Sequence, residues 1–174
     1  MTAPIEIDVW QGEIAELEVD ALIVGANESL FMTAGVAPSV KRHGGEEIER
    51  AAVDQGPIEP GRAVATTGGS LAAPYVIHAV AVGHDRIADP DRFRRALRAA
   101  LALCAPLQLR RVAIAPLGAE NGVFTVEEAA SLLVSTLVAE GTSNGLESVV
   151  IATAHAADTR AVGDALARER ARVG

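Results

Sequence analysis

Two stretches of this 174-residue chain combine the residue types that hold an anion without a basic side chain. The first is Gly25-Ala26-Asn27 with the loop ESLFMTAGVAPSV behind it, running into a predicted helix that has Pro38 in its first turn. The second runs from Pro116 through Gly118, Ala119, Glu120, Asn121, Gly122 and Val123 to Phe124, and meets a helix opening at Thr125. Small residues leave backbone N–H groups uncovered, and a helix N-terminus adds partial positive charge, so both loops suit a phosphate. Each also carries an aromatic, Phe31 or Phe124, in a chain whose only other rings are Trp10, Tyr75 and Phe93. A ring beside such a loop can pack on a ribose or base, or it can plug the end of the core.

Other chemistry finds less support. There is no G-x-x-x-x-G-K-[ST] and no G-x-G-x-x-G, which argues against a P-loop NTPase or a standard dinucleotide fold. His43, His78, His84 and His155 have no i, i+4 partners, and no carboxylates cluster, so neither a metal nor a cofactor is expected. His78 lies mid-strand and reads as a hydrogen-bonded structural histidine. Cys104 is the sole cysteine, which excludes an internal disulfide and a thiolate-rich metal site, and its place on an apolar helix stripe makes it a core residue. Arg92, Arg94, Arg95 and Arg98 read as the solvated face of that helix.

The elements that must position these loops follow from periodicity. Residues 5–10 alternate apolar and polar side chains, as a half-exposed edge strand does. The runs at 21–24, 63–66, 75–82, 112–115 and 148–152 are nearly continuous in apolar or β-branched residues and predict strands covered on both faces. Between them lie helical patterns: short ones at 36–43 and 45–54, a longer one at 90–105 with Asp89 as N-cap, and one from Thr125 to about Glu140. Thr125 and Glu128 form a capping box, and a last helix is predicted from near Asp158. The alternation implies a three-layer α/β/α domain over residues 1–174, with ligands expected beyond the carboxyl ends of the strands.

Composition sets the outer limits. With 49% apolar residues the chain can bury a real core, and no apolar run approaches the ~18 residues that cross a bilayer. The opening MTAPIEIDVWQGE has neither a basic segment nor an apolar stretch of signal type, so the expectation is a soluble cytoplasmic protein without membrane contact. A net charge of −8 excludes a broad nucleic-acid face.

The strings QGEI at 11–14, VDALIVGAN at 19–27, AGVAPSVKRHGG at 34–45, PGRAVATTGGSL at 60–71, YVIHAVAVG at 75–83 and APLGAENGVFTVEEAA at 115–130 occur in the order and spacing of a macro domain. The resemblance covers roughly residues 5–168 and implies a mixed central sheet of about six strands and binding of ADP-ribose. It implies, residue by residue, that Glu13 stands where an aspartate usually meets the adenine amino group, with Ile14 as part of the adenine wall. Asn27 matches the last asparagine of the family's N-A-A-N signature, which meets the distal ribose; the first is Val24 here. Thr33, Ala34, Gly35 and Val36 replace the glycine-rich first phosphate loop. Gly118, Ala119, Asn121, Gly122 and Val123 fall in the second, Gly122 and Val123 as backbone donors, with Phe124 where an aromatic packs on the distal ribose.

Two departures bear on activity. The hydrolase subgroup of the family has an aspartate where this chain has Ala37, and the aromatic that often stacks on adenine after the last strand is absent, leaving His155 as a substitute. The resemblance implies a domain that binds ADP-ribose, and the expectation is that it hydrolyses ADP-ribosyl adducts of protein carboxylates or nucleic acid without that aspartate. The water would be held by Asn27, or activated by Glu120 if the second loop, one residue longer than usual, turns inward. The alternatives are a non-catalytic reader of ADP-ribose and a phosphatase acting on ADP-ribose 1″-phosphate.

Overall fold

In the computed structural model, which describes residues 3–174, six strands form one sheet: β1 (Glu6–Gln11), β2 (Ala21–Gly25), β3 (Ala63–Thr67), β4 (Tyr75–Ala79), β5 (Arg111–Ile114) and β6 (Ser148–Thr153). They lie in the order β1-β6-β5-β2-β4-β3, all neighbours parallel except the antiparallel β3–β4 pair. Five helices connect them: α1 (Ala37–Gly44), α2 (Glu46–Val53), α3 (Pro90–Ala102), α4 (Val126–Glu140) and α5 (Ala156–Val173).

Alternation along β2 shows why three layers form. Ala21 and Ile23 join the core beneath α3, α4 and α5, where Phe93, Leu97, Leu133 and Val162 pack, while Leu22 and Val24 join Val40 and Ile48 of α1 and α2 on the other face. All four side chains of Ala21 to Val24 are fully buried, as the unbroken apolar run requires. The expected caps are present. Asp89 accepts the N–H groups of Asp91 (2.9 Å) and Arg92 (3.3 Å), and Thr125 and Glu128 bond each other's backbone N–H at 3.1 Å. Cys104 is buried against the Ala100 carbonyl, and burial pushes its thiol up to about 12, so it is inert core.

Two strand expectations need correction. Residues 63–66 are not covered on both faces: β3 is an edge strand with mostly half-buried side chains, and its run of small residues imitates a central strand. The run at 75–82 is regular strand only to Ala79; Val80 still donates to the Arg62 carbonyl and accepts from the Gly61 N–H, and Val80 to Val82 stay buried as irregular chain. Facing β3, His78 is buried with its Nε2 at 3.0 Å from the Thr66 hydroxyl, and burial lowers its pKa to about 4. It is a neutral structural group, as its mid-strand position implied.

Candidate functional site

Parallel pairing puts the carboxyl ends of β2, β4 and β5 side by side, and the loops that follow them enclose a cleft of about 260 Å³. From the loop after β2 come Asn27, Phe31, Ala34 and Gly35, joined by Ala37 at the start of α1; from the loop after β5 come Gly118, Glu120 and Asn121. The loop after β4 supplies a third wall, including Gly83, His84 and Arg86. Gly83 closes the YVIHAVAVG string, but nothing in the local sequence marked His84 or Arg86 as cleft residues. The one available signal was positional, since a loop following a buried parallel strand belongs at the ligand-binding edge.

The loop after β2 is held open by side chains. The Asn27 carboxamide donates to the Phe31 carbonyl (3.0 Å) and accepts from the Ser29 hydroxyl (2.8 Å), so Asn27 braces the loop while facing the cleft. Glu49 of α2 accepts the Met32 N–H at 2.7 Å and pairs with Lys41 at 3.1 Å; the Met32 N–H, then Lys41, hold its carboxyl below the usual range. These ties leave the Phe31 ring half exposed over the cleft. The N–H groups of Ala34 and Gly35, next to the start of α1, engage no partner among the described residues. Gly35 lies at φ +64°, a conformation that favours glycine and brings its backbone to the cleft surface.

The loop after β5 is closed on itself. Ala119 N–H donates to Pro116, Gly122 N–H to Ala119, Phe124 N–H to Gly118, and Val123 N–H to the Asn121 side chain. Gly122 and Val123, expected as phosphate donors, thus have their N–H groups committed within the loop. The Phe124 ring is buried, edge to face with Phe93 at 5.7 Å between centroids, and lies outside the cleft wall. Of the two rings near the loops, Phe31 faces the cleft and Phe124 anchors its loop to α3.

Glu120 reaches inward from this second loop. A Cβ placed on Gly35 would collide with Glu120 Oε2, and one on Gly25 would lie 3.6 Å from it, so the carboxyl rests against the backbone of the first loop. Glu120 is exposed as a residue, and its carboxyl end lies against Gly35 and Gly25. Burial raises its pKa to about 7, the Val36 N–H opposes that rise, and the negative charge of Asp158 adds to it.

At the third wall, Glu28 accepts the His84 N–H at 2.6 Å and stands 3.3 Å from His84 Nδ1, tying this loop to the first. Arg86 donates to the Asn121 carbonyl at 2.8 Å, tying it to the second. Arg92 does not belong to a purely solvated face, since its guanidinium holds Asp85 at 2.7 Å and keeps that carboxyl below its usual range. Further along the same sheet edge, Glu13 is exposed and accepts from Ser39 (2.7 Å), whereas Ile14 is buried in the core beneath α1. Glu13, Ile14, Thr33, Val36 and Ala119 lie outside the wall of the cleft; His155 is exposed as the N-cap residue of α5 without a side-chain capping bond.

The family model for the macro domain matches residues 23–133, the span that contains all three cleft loops. The chain belongs to the macro domain family. An uncharacterized protein of Mycobacterium tuberculosis is 34% identical over 162 residues, 93% of this macro domain but 45% of the relative, so the chain spans about half the length of that protein. An uncharacterized protein of Aquifex aeolicus is 39% identical over 134 residues, 76% of this chain and 81% of its own, and a macro domain-containing protein of Cupriavidus necator is 37% identical over 138 residues, 75% and 79%. Among solved structures, a mutant of an Oceanobacillus iheyensis macrodomain superposes with a TM-score of 0.87 over 99% of this chain and 98% of its own, at 19% identity. A Trypanosoma brucei macrodomain in complex with ADP-ribose superposes with a TM-score of 0.84 over 91% and 68%, at 21% identity. These likenesses establish the mixed six-stranded α/β fold.

Proposed function

We propose that this macro domain binds ADP-ribose along the carboxyl edge of its sheet. One observation carries the reading: Ala34 and Gly35 line the cleft beside the start of α1, and their N–H groups engage no partner among the described residues, an anion cradle that needs no lysine or arginine. Asn27, whose Nδ2 donates to the Phe31 carbonyl and the Thr33 hydroxyl, keeps acceptor capacity on Oδ1 for a ribose hydroxyl, Phe31 offers a ring, and Glu13 lies further along the edge as an acceptor for the adenine amino group. Relatives of known structure include macrodomains bound to ADP-ribose, which supports the same choice of ligand. Titration calorimetry with ADP-ribose tests it: saturable one-to-one binding is expected, and no heat at millimolar ligand rejects it.

A second reading, hydrolysis of ADP-ribosyl adducts of protein or nucleic acid, is favoured by Glu120. Attack of water at the anomeric carbon needs a group that takes up its proton near neutrality, and Glu120 is a cleft carboxyl whose pKa is raised to about 7. It supplies from the second loop the carboxyl that the first loop lacks at Ala37. Incubation with mono-ADP-ribosylated protein, ADP-ribosylated DNA and ADP-ribose 1″-phosphate separates eraser, phosphatase and reader by the product released. If Glu120→Ala turns over any of these at the parent rate, Glu120 is not the base.

A further inference from the structure

The Glu120 carboxyl lies where the first loop would receive a phosphate. Its Oε2 sits where a side chain on Gly35 would begin, next to the start of α1, and it approaches Gly25 at the end of β2. A carboxylate and a phosphate oxygen are both drawn to backbone N–H groups and repel each other, so a phosphate settling beside Gly35 would have to displace the carboxyl lying there. The volume agrees. The cleft offers about 260 Å³, below the roughly 300–1,000 Å³ of typical ligand pockets, with Glu120 projecting into it.

We infer that Glu120 is an internal competitor for the diphosphate site, and that it sets the charge state in which the cleft accepts its ligand. The inference rests on the ADP-ribose reading of this cleft and adds to it the control of occupancy. When Glu120 is ionised, an incoming diphosphate meets a negative charge already lying against Gly35 beside the first loop's N–H groups. When the carboxyl is protonated, that repulsion is gone and the side chain can yield. Ligand binding and proton uptake are therefore coupled, and each favours the other.

The groups around Glu120 fix the direction. From α5 it faces Asp158, whose negative charge favours the protonated carboxyl; from the third wall His84 and Arg86 line the same cleft, with His84 held by Glu28 and Arg86 by the Asn121 carbonyl. Among the described residues, the first loop contributes no charged side chain to the cleft wall. With the carboxyl titrating at about 7, occupancy is controlled within the neutral range. Neither the diphosphate diester nor the adenine of ADP-ribose titrates there, so any pH dependence in that range belongs to the protein.

Calorimetric titration of the whole chain with ADP-ribose at about pH 6 and about pH 8 tests the coupling. If only the protonated carboxyl admits the ligand, the parent binds about tenfold more weakly at the higher pH, and repeating the titration in buffers of different ionisation enthalpy shows proton uptake. The near-isosteric Glu120→Gln binds equally at both pH values, and at about pH 8 about tenfold more tightly than the parent. Glu120→Ala behaves like Glu120→Gln. Equal parent affinity at both pH values, or a weaker Glu120→Gln, overturns the competitor role while leaving the ADP-ribose reading in place. No binding by parent or variants at either pH overturns that reading instead. The competitor role and the base role exclude each other in one complex, since a carboxyl protonated on binding cannot take the proton of water. Tighter product binding by Glu120→Gln at the parent's saturating turnover supports the competitor, and parent-like binding with lost turnover overturns it in favour of the base.

Discussion

The loop after β2 borrows side chains from elsewhere to stay open, Glu49 above all, and leaves the N–H groups of Ala34 and Gly35 uncommitted. The loop after β5 spends the N–H groups of Ala119, Gly122, Val123 and Phe124 on its own oxygens, buries its aromatic ring, and presents a carboxyl to the cleft. Both are rich in small residues and both precede a helix, so in composition they look interchangeable. A glycine-rich loop before a helix is an anion site only if its N–H groups are not already used, and here one loop is a receptor while the other supplies an internal competitor.

The largest test of that contrast is Phe124→Ala. A buried ring packed on Phe93 should cost about 3–5 kcal/mol in urea unfolding when removed. A variant of near-parent stability that has lost affinity for ADP-ribose would return Phe124 to the ligand and break the anchor-versus-receptor distinction.

The next concerns proton linkage, where the buried sheet and the open cleft act in opposite directions. His78 takes up a proton at 6.5 when unfolded but only near 4 when folded. The unfolded chain therefore binds more protons in that window, and stability falls as pH drops from 6.5 to about 4, by about 3 kcal/mol at the acid end. Glu120 is raised from 4.5 to about 7, so the folded chain holds the extra proton and its contribution falls as pH rises through that interval. Unfolding midpoints measured across both windows, with Glu120→Gln removing only the second effect, check the two signs. An acid limb without destabilisation would mean that His78 is not a buried neutral group.

The smallest effect is the sharpest comparison. Gly35 (φ +64°) and Gly122 (φ +73°) share a backbone conformation, so alanine at either should cost about 1–2 kcal/mol of strain. At Gly122 the new methyl group meets nothing within 4 Å, whereas at Gly35 it meets Glu120. Gly35→Ala should therefore also expel the carboxyl and return its titration, followed by NMR, toward the ordinary carboxylate range. Equal stability of the two variants, with Glu120 still titrating near neutrality, would mean that the carboxyl does not lodge against Gly35.

Much of this molecule was legible along the chain. The apolar runs at 21–24, 112–115 and 148–152 became central strands, the Asp89 and Thr125 caps formed as read, and Asn27, Ala34, Gly35, Gly118, Glu120 and Asn121 all reached the cleft wall. The errors share one origin. The edge position of β3, the early end of β4 and the burial of Phe124 each depend on a neighbour distant in sequence.

By itself the sequence determined which segments become strands or helices, where helices start, and which loops carry small residues, because hydrophobic period, capping and backbone freedom act over a few residues. Sheet order, the third wall with His84 and Arg86, the choice of Phe31 over Phe124 as the cleft ring, and the seat of Glu120 against Gly35 were decided only by tertiary structure. Burial, desolvation and the use of a backbone N–H depend on what lies across a gap, and the folded chain alone brings residue 120 to residue 35.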